Sequence, residues 1–144
     1  MYNGLLHLHN FMRWIILLFL LIALIQAFSR KPGLQKTSLW LLIAAHITFL
    51  IGLYQYFVGA FGYKLIQMNG FSAVMKDSAL RFWAVEHITG MLFAIILITI
   101  ARGKAKRNGY SAASWLYLIA LILILAVVPW PFREVVARPW FPGL

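Results

Sequence analysis

Six ionisable side chains stand where the surrounding sequence is otherwise apolar: His7, His9 and Arg13, then His46, then the adjacent Glu86 and His87. Within a bilayer each such group costs a few kcal/mol unless it is paired, hydrated or ligated, so these positions carry the chemical information in the chain. His9 and Arg13 are four apart and share one helix face, continued by Ile16, Leu20 and Ala27, whereas His7 points elsewhere, toward the headgroups. His87 shares a face with Gly90, Ala94 and Ala101, small residues that let a backbone or a flat ligand come close. Glu86 lies about 100° away, at the edge of that face. His46 projects almost opposite a small and polar stripe, Ala45, Thr48, Gly52, Gln55 and Gly59. One of those two faces must therefore look away from the bundle centre, toward a partner helix, an oligomer or a cofactor edge.

The elements that position these groups follow from composition. The chain has 144 residues, 63% of them hydrophobic and 11% charged, against roughly 45–50% and about 25% in a soluble domain. Four apolar runs, about 5–28, 38–60, 79–101 and 112–128, are each close to the roughly 20 residues that span a bilayer. The expectation is an all-α, up-and-down bundle of four transmembrane helices filling 1–144 as one membrane domain. Ser29-Arg30-Lys31-Pro32-Gly33 closes the first run and Arg102 to Gly109 the third. Residues 61–79 are too polar to span and suit a short interfacial helix, with Asp77 or Ser78 as N-cap of the third run. A tail over 132–144 is placed at the interface. Thirteen Lys and Arg against three acids give a formal charge of +10. With most of the cations in short loops, that excess reads as topology and anionic headgroups, and nucleic acid is not an expected partner. The two cation-dense loops put both termini outside the cytoplasm by the positive-inside rule. Trp40, Trp83, Trp115, Trp130 and Trp140 read as interfacial anchors.

The same residues limit the chemistry. There is no cysteine, which excludes thiolate metal sites, iron–sulfur clusters and covalent haem. No H-E-x-x-H, repeated Glu-x-x-His, Walker loop or nucleophile elbow occurs. His9 and His87 enter from the same side at similar heights, on helices that lie diagonally in an up-and-down bundle. They are the first choice as axial ligands of a b-type haem, with His46 in reserve because it sits roughly 10 Å away in depth. Arg13 is read either as the ion-pair partner of Glu86, tying the first helix to the third, or as the cation facing a haem propionate or quinone headgroup. The rivals are an accessory subunit without a cofactor, docking on larger membrane partners or on itself, and a quinone or lipid binder without haem. A stand-alone enzyme is less expected than an electron-transfer protein.

The strings Leu6-His7-Leu8-His9 with Arg13-Trp14, His46 with Gly52-Leu53-Tyr54, Val85-Glu86-His87 with Met91, and Pro129-Trp130-Pro131-Phe132 resemble a family of short bacterial four-helix membrane proteins labelled cytochrome b-like. The resemblance covers nearly the whole chain. It implies a haem-binding bundle in the bacterial inner membrane, working with the quinone pool, and assigns cofactor contacts to His9, Arg13, His46, Glu86 and His87.

Overall fold

The protein, described here from a computed structural model over residues 2–141, is built from helices in chain order: α1 (Tyr2–Phe28), α2 (Leu34–Val58), the short α3 (Tyr63–Asn69), α4 (Phe71–Lys76) and α5 (Ser78–Arg81), then α6 (His87–Lys106) and α7 (Tyr110–Val127). A π-helical turn, Phe82–Glu86, joins α5 to α6, so that a single 29-residue helix runs from Ser78 to Lys106. Among the described residues four helices are long and apolar enough to cross a membrane. The chain is a multi-pass membrane protein with a four-helix bundle at its centre.

The long helices pack in a ring, α1 to α2 to α6 to α7 and back to α1, which sets α1 diagonally across from α6. Large apolar side chains such as Leu18, Ile25, Leu50 and Ile122 face outward, where lipid rather than water is their natural neighbour. Inside, the seams are made of small residues. Ala23, Ala27, Ala94, Ala101, Ala105, Ala113 and Ala120 are buried with Leu20, Leu41 and Ile98, the pattern that lets membrane helices approach closely without a hydrophobic driving force.

Two short loops join helices at what will be called the lower end of the bundle. Both close with the same hydrogen-bond pair. Lys31 N–H reaches Gln26 O (2.8 Å) and Arg30 N–H reaches Ala27 O (3.2 Å), while Gly109 N–H reaches Lys104 O (2.9 Å) and Asn108 N–H reaches Ala105 O (3.1 Å). This Schellman arrangement needs a left-handed residue just past the helix, here Arg30 (φ 52°) and Asn108 (φ 57°).

Helix boundaries differ from the hydropathy reading where charge suggests a helix stop. α6 continues to Lys106 because Arg102 need not leave the helix to find a partner: its Nη1 donates to Gln35 O (2.9 Å) and Ser38 Oγ (3.0 Å) on α2. α2 begins at Leu34, which is fully buried and so adds core contact immediately after Gly33. Asp77 caps α5 as expected, its Oδ1 accepting from Leu80 N–H at 2.8 Å. The connection over 61–79 holds short helices with exposed Phe61, Tyr63, Met68 and Phe71, as an interfacial segment should. The tail folds back on α1 and α7 as far as residue 141, and 142–144 lie outside the described residues. Trp130 is buried rather than a surface anchor.

The left-handed Arg30 gives the first test. A glycine there removes a Cβ clash worth about 1–2 kcal/mol but adds unfolded-state entropy, so Arg30→Gly is expected to raise stability by up to about 1 kcal/mol. Reversible unfolding in detergent measures it; a loss of stability would show that the Arg30 side chain makes a contribution larger than its backbone strain.

Candidate functional site

At the upper end, near the N-terminus of α1, the bundle opens around two imidazoles. The rings of His9 on α1 and His87 on α6 face each other across the diagonal, with centroids 6.4 Å apart and planes inclined at 67°. Equal height and diagonal placement were both expected from the sequence. Each ring is held by its Nδ1. His9 Nδ1 donates to the Thr48 carbonyl on α2 (3.2 Å) and His87 Nδ1 donates to the Val127 carbonyl at the end of α7 (2.7 Å). With Nδ1–H fixed in this way, Nε2 is the lone-pair nitrogen of each neutral ring, and neither Nε2 has a hydrogen-bond partner among the described residues.

Both anchors depend on glycine. A Cβ at Gly52 would stand 2.8 Å from His9 Cε1, so the ring occupies the space that a side chain on α2 would take. A Cβ at Gly90 would stand 2.5 Å from Val127 Cγ1, so only glycine lets α7 come close enough to offer its last carbonyl to His87. The π turn ends at His87, whose N–H bonds to Phe82 O five residues back. Such wide turns recur at functional sites. It also brings Phe82 and Trp83 against the imidazole, with centroids 5.8 and 6.1 Å away.

The rings look into a cavity of about 300 Å³ that includes Ile16, Ala45, Ala94 and Ile98 below them and Gln55, Tyr56 and Arg138 among its other walls. Along α1 it reaches from Tyr2 to Ile16, about 21 Å at the rise of an α-helix. That volume lies at the lower end of the range for small-molecule sites. Ile16, Ala45, Ala94 and Ile98 make its lower wall apolar; Gln55 lies toward the upper end on α2, Arg138 comes from the tail, and Arg13 stands one helical turn further along α1 than His9.

The remaining expected site residues divide. Arg13 lines the cavity, but it does not pair with Glu86. Its Nη2 donates to the carbonyls of Pro139 and Trp140, both at 2.7 Å, and Trp14 Nε1 donates to Trp140 O at 2.8 Å. Glu86 instead accepts from Arg81 Nε at 2.6 Å, because the π turn carries Glu86 and places Arg81, one wide turn earlier, beside it. The ion pair linking the first and third spans is thus replaced by a latch between α1 and the tail, clad by Trp14, Trp130, Trp140 and Phe141. His46 is exposed on the outer face of α2, its Nδ1 tied to Leu42 O in its own helix at 2.8 Å. The stripe Ala45, Thr48, Gly52 and Gln55 is the face that looks inward, so His46 is not brought to the other two. His7 is exposed at the cavity rim. Sequence reasoning missed Arg138, which reaches the cavity from the tail, and Trp83, which lines the cavity against His87 where its sequence position suggests an interfacial anchor.

Among the described residues no three His, Asp or Glu side chains converge, so the arrangement is a pair of imidazoles rather than a zinc or non-haem iron triad. Comparison with protein-family models, with curated proteins and with solved structures finds no match for this chain.

The dependence of His9 on Gly52 can be measured as a double-mutant cycle. Gly52→Ala alone is expected to cost about 1–3 kcal/mol by overpacking; in a His9→Ala background, where the imidazole is gone, the same change should cost far less. Equal costs in the two backgrounds would mean that Gly52 and His9 do not compete for the same space.

Proposed function

We propose that this chain is a membrane-bound b-type haem protein that passes single electrons, exchanging them with quinone in the bacterial inner membrane. The observation that carries the reading is the pair of facing imidazoles, each with Nδ1–H committed to a backbone carbonyl. A metal–imidazole bond is about 2 Å and the ring adds roughly 1 Å to its centroid, so two imidazoles on opposite sides of one ion lie roughly 6 Å apart. The 6.4 Å between His9 and His87 meets that requirement. A backbone carbonyl on the far nitrogen is the usual outer support of a ligating histidine, since it fixes the tautomer and raises the basicity of Nε2.

The residues present suit such a group. His9 and His87 would hold the iron, and Ala45, Ala94 and Ile98 would accept the apolar part of the macrocycle. Bound there, the haem supplies one-electron transfer. With both imidazoles engaged by the iron, the site would suit electron transfer rather than activation of a small molecule. The chain's own contribution is to fix both rings before the iron arrives, to keep water out through the tail latch, and to set a low dielectric through its apolar lower wall. Exchange with quinone rests on the family resemblance and on the location of the cavity inside a bilayer-spanning bundle. His46, turned to the lipid face, has no part in this site.

The ligand assignment is tested by expressing His9→Ala, His87→Ala and His46→Ala with haem supplied and recording the Soret and reduced α-bands. Loss or a changed spectrum is expected for the first two, and an unaltered spectrum for His46→Ala. A colourless, well-folded wild-type protein would overturn the reading in favour of a cofactor-free accessory subunit or a quinone or lipid binder.

The same reading places both termini outside the cytoplasm, supported by the cation-dense lower loops at 29–33 and 102–109. A reporter that is active only in the cytoplasm, fused to Leu144, is expected to be silent; strong activity would invert the topology.

A further inference from the structure

The polar groups around the cavity do not balance. Arg13 has three guanidinium donors beyond the Nη2 that holds the tail, and its Nε is buried without a partner. Gln55, 9% exposed, lines the cavity with its Nε2 buried and likewise without a partner. Arg138 lays its guanidinium over the rings of Phe61 and Trp83, 4.7 and 4.8 Å from their centroids, and makes no side-chain hydrogen bond among the described residues. No carboxylate among the described residues answers them. Asp77 caps α5 and Glu86 is taken by Arg81, while Glu134 is exposed and forms no ion pair among the described residues.

Two cations and an amide donor, gathered at one cavity with no carboxylate among the described residues to meet them, are costly in a bilayer unless the occupant brings the negative charge. We infer that Arg13, Arg138 and Gln55 form a carboxylate-binding site for an occupant that carries two acidic groups. Resting on the haem reading above, those groups would be the two propionates, and the apolar Ala45 and Ala94 would face the rest of the ring. Arg138 belongs to the tail and Arg13 holds the tail by Pro139 and Trp140, so part of the acid-binding site is carried by the segment that closes the cavity. Neither Arg138 nor Gln55 was apparent as a cofactor residue from spacing, because one stands in an irregular tail and the other reads as part of a polar helix stripe.

The experiment compares haem with its dimethyl ester, in which both propionates are neutralised while the iron and ring are unchanged. It is run by titrating the full-length protein in detergent. The wild type is expected to bind haem roughly tenfold or more tightly than the diester, the scale of a hydrogen bond to a charged group. Arg138→Leu should weaken haem binding while leaving the diester within about twofold of its wild-type affinity, and Arg138→Lys should recover part of the preference. Equal wild-type affinity for the two porphyrins, or an equal loss of both in Arg138→Leu, would overturn the carboxylate site while leaving the haem reading intact. If the wild type binds neither porphyrin, the haem reading itself fails and takes this inference with it.

Discussion

The upper end of this bundle is organised by the carbonyls that α7 leaves free when it stops. In an unbroken helix the carbonyls of Leu125 and Val127 would be met by the N–H groups four residues on. Those positions are Pro129 and Pro131, which have none. In a bilayer such carbonyls must be satisfied from within the protein. Trp130 Nε1 donates to Leu125 O at 2.8 Å, Arg133 Nη1 donates to Ala126 O at 2.8 Å, and His87 Nδ1 donates to Val127 O at 2.7 Å. One helix terminus thereby sets the tautomer of an imidazole, pins an arginine at the negative end of the helix dipole, and starts the tail on its course back over the cavity.

His9 is held by a different device with the same result. Thr48 lies in the middle of α2, so its carbonyl can serve His9 only because Gly52, one turn further on, leaves the approach open. Both imidazoles are thus oriented by main chain rather than by carboxylates. The nearest intramembrane acid, Glu86, is occupied by Arg81. Charge is kept away from the ring pair except for the two arginines, and those are turned toward the tail and the cavity rim.

Much of this could be read from residue order. Hydropathy and loop charge located the four spans, and counting residues from the helix starts put His9 and His87 at one height on diagonal helices. The stripe from Ala45 to Gln55 and His46 marked two opposite faces of α2 without deciding between them; the structure turns the stripe inward and leaves His46 outside. What was not legible came from irregular backbone. Residues 82–86 contain no proline or glycine, and Glu86, their one polar residue, gives no sign of a π turn. An Arg13–Glu86 pair is the natural expectation from α-helical geometry alone. The tail has no period to reveal which face it covers, so the bonds from Arg13 and Trp14 to Trp140, and the arrival of Arg138 at the cavity, emerge only in three dimensions. α6 likewise outran its expected end because Arg102 finds its partners sideways, on α2, rather than by leaving the helix.

The π turn has a bearing on how this chain should be set beside others. A single wide turn within a helix amounts to one residue inserted into an ordinary α-helical stretch, accommodated by a bulge instead of a rotation of everything that follows. The register of α6 is protected, so His87, Gly90 and Ala94 keep the faces they would have without the insertion, while Asp77 to Trp83 are displaced by one position. A counterpart lacking that residue would place an aromatic side chain equivalent to Trp83 one step closer to the histidine in sequence, although the two sites would superimpose in space. Relationships in this part of the chain are better sought by aligning the halves on either side of the bulge separately, with a gap allowed between 82 and 86, than by a continuous match through it.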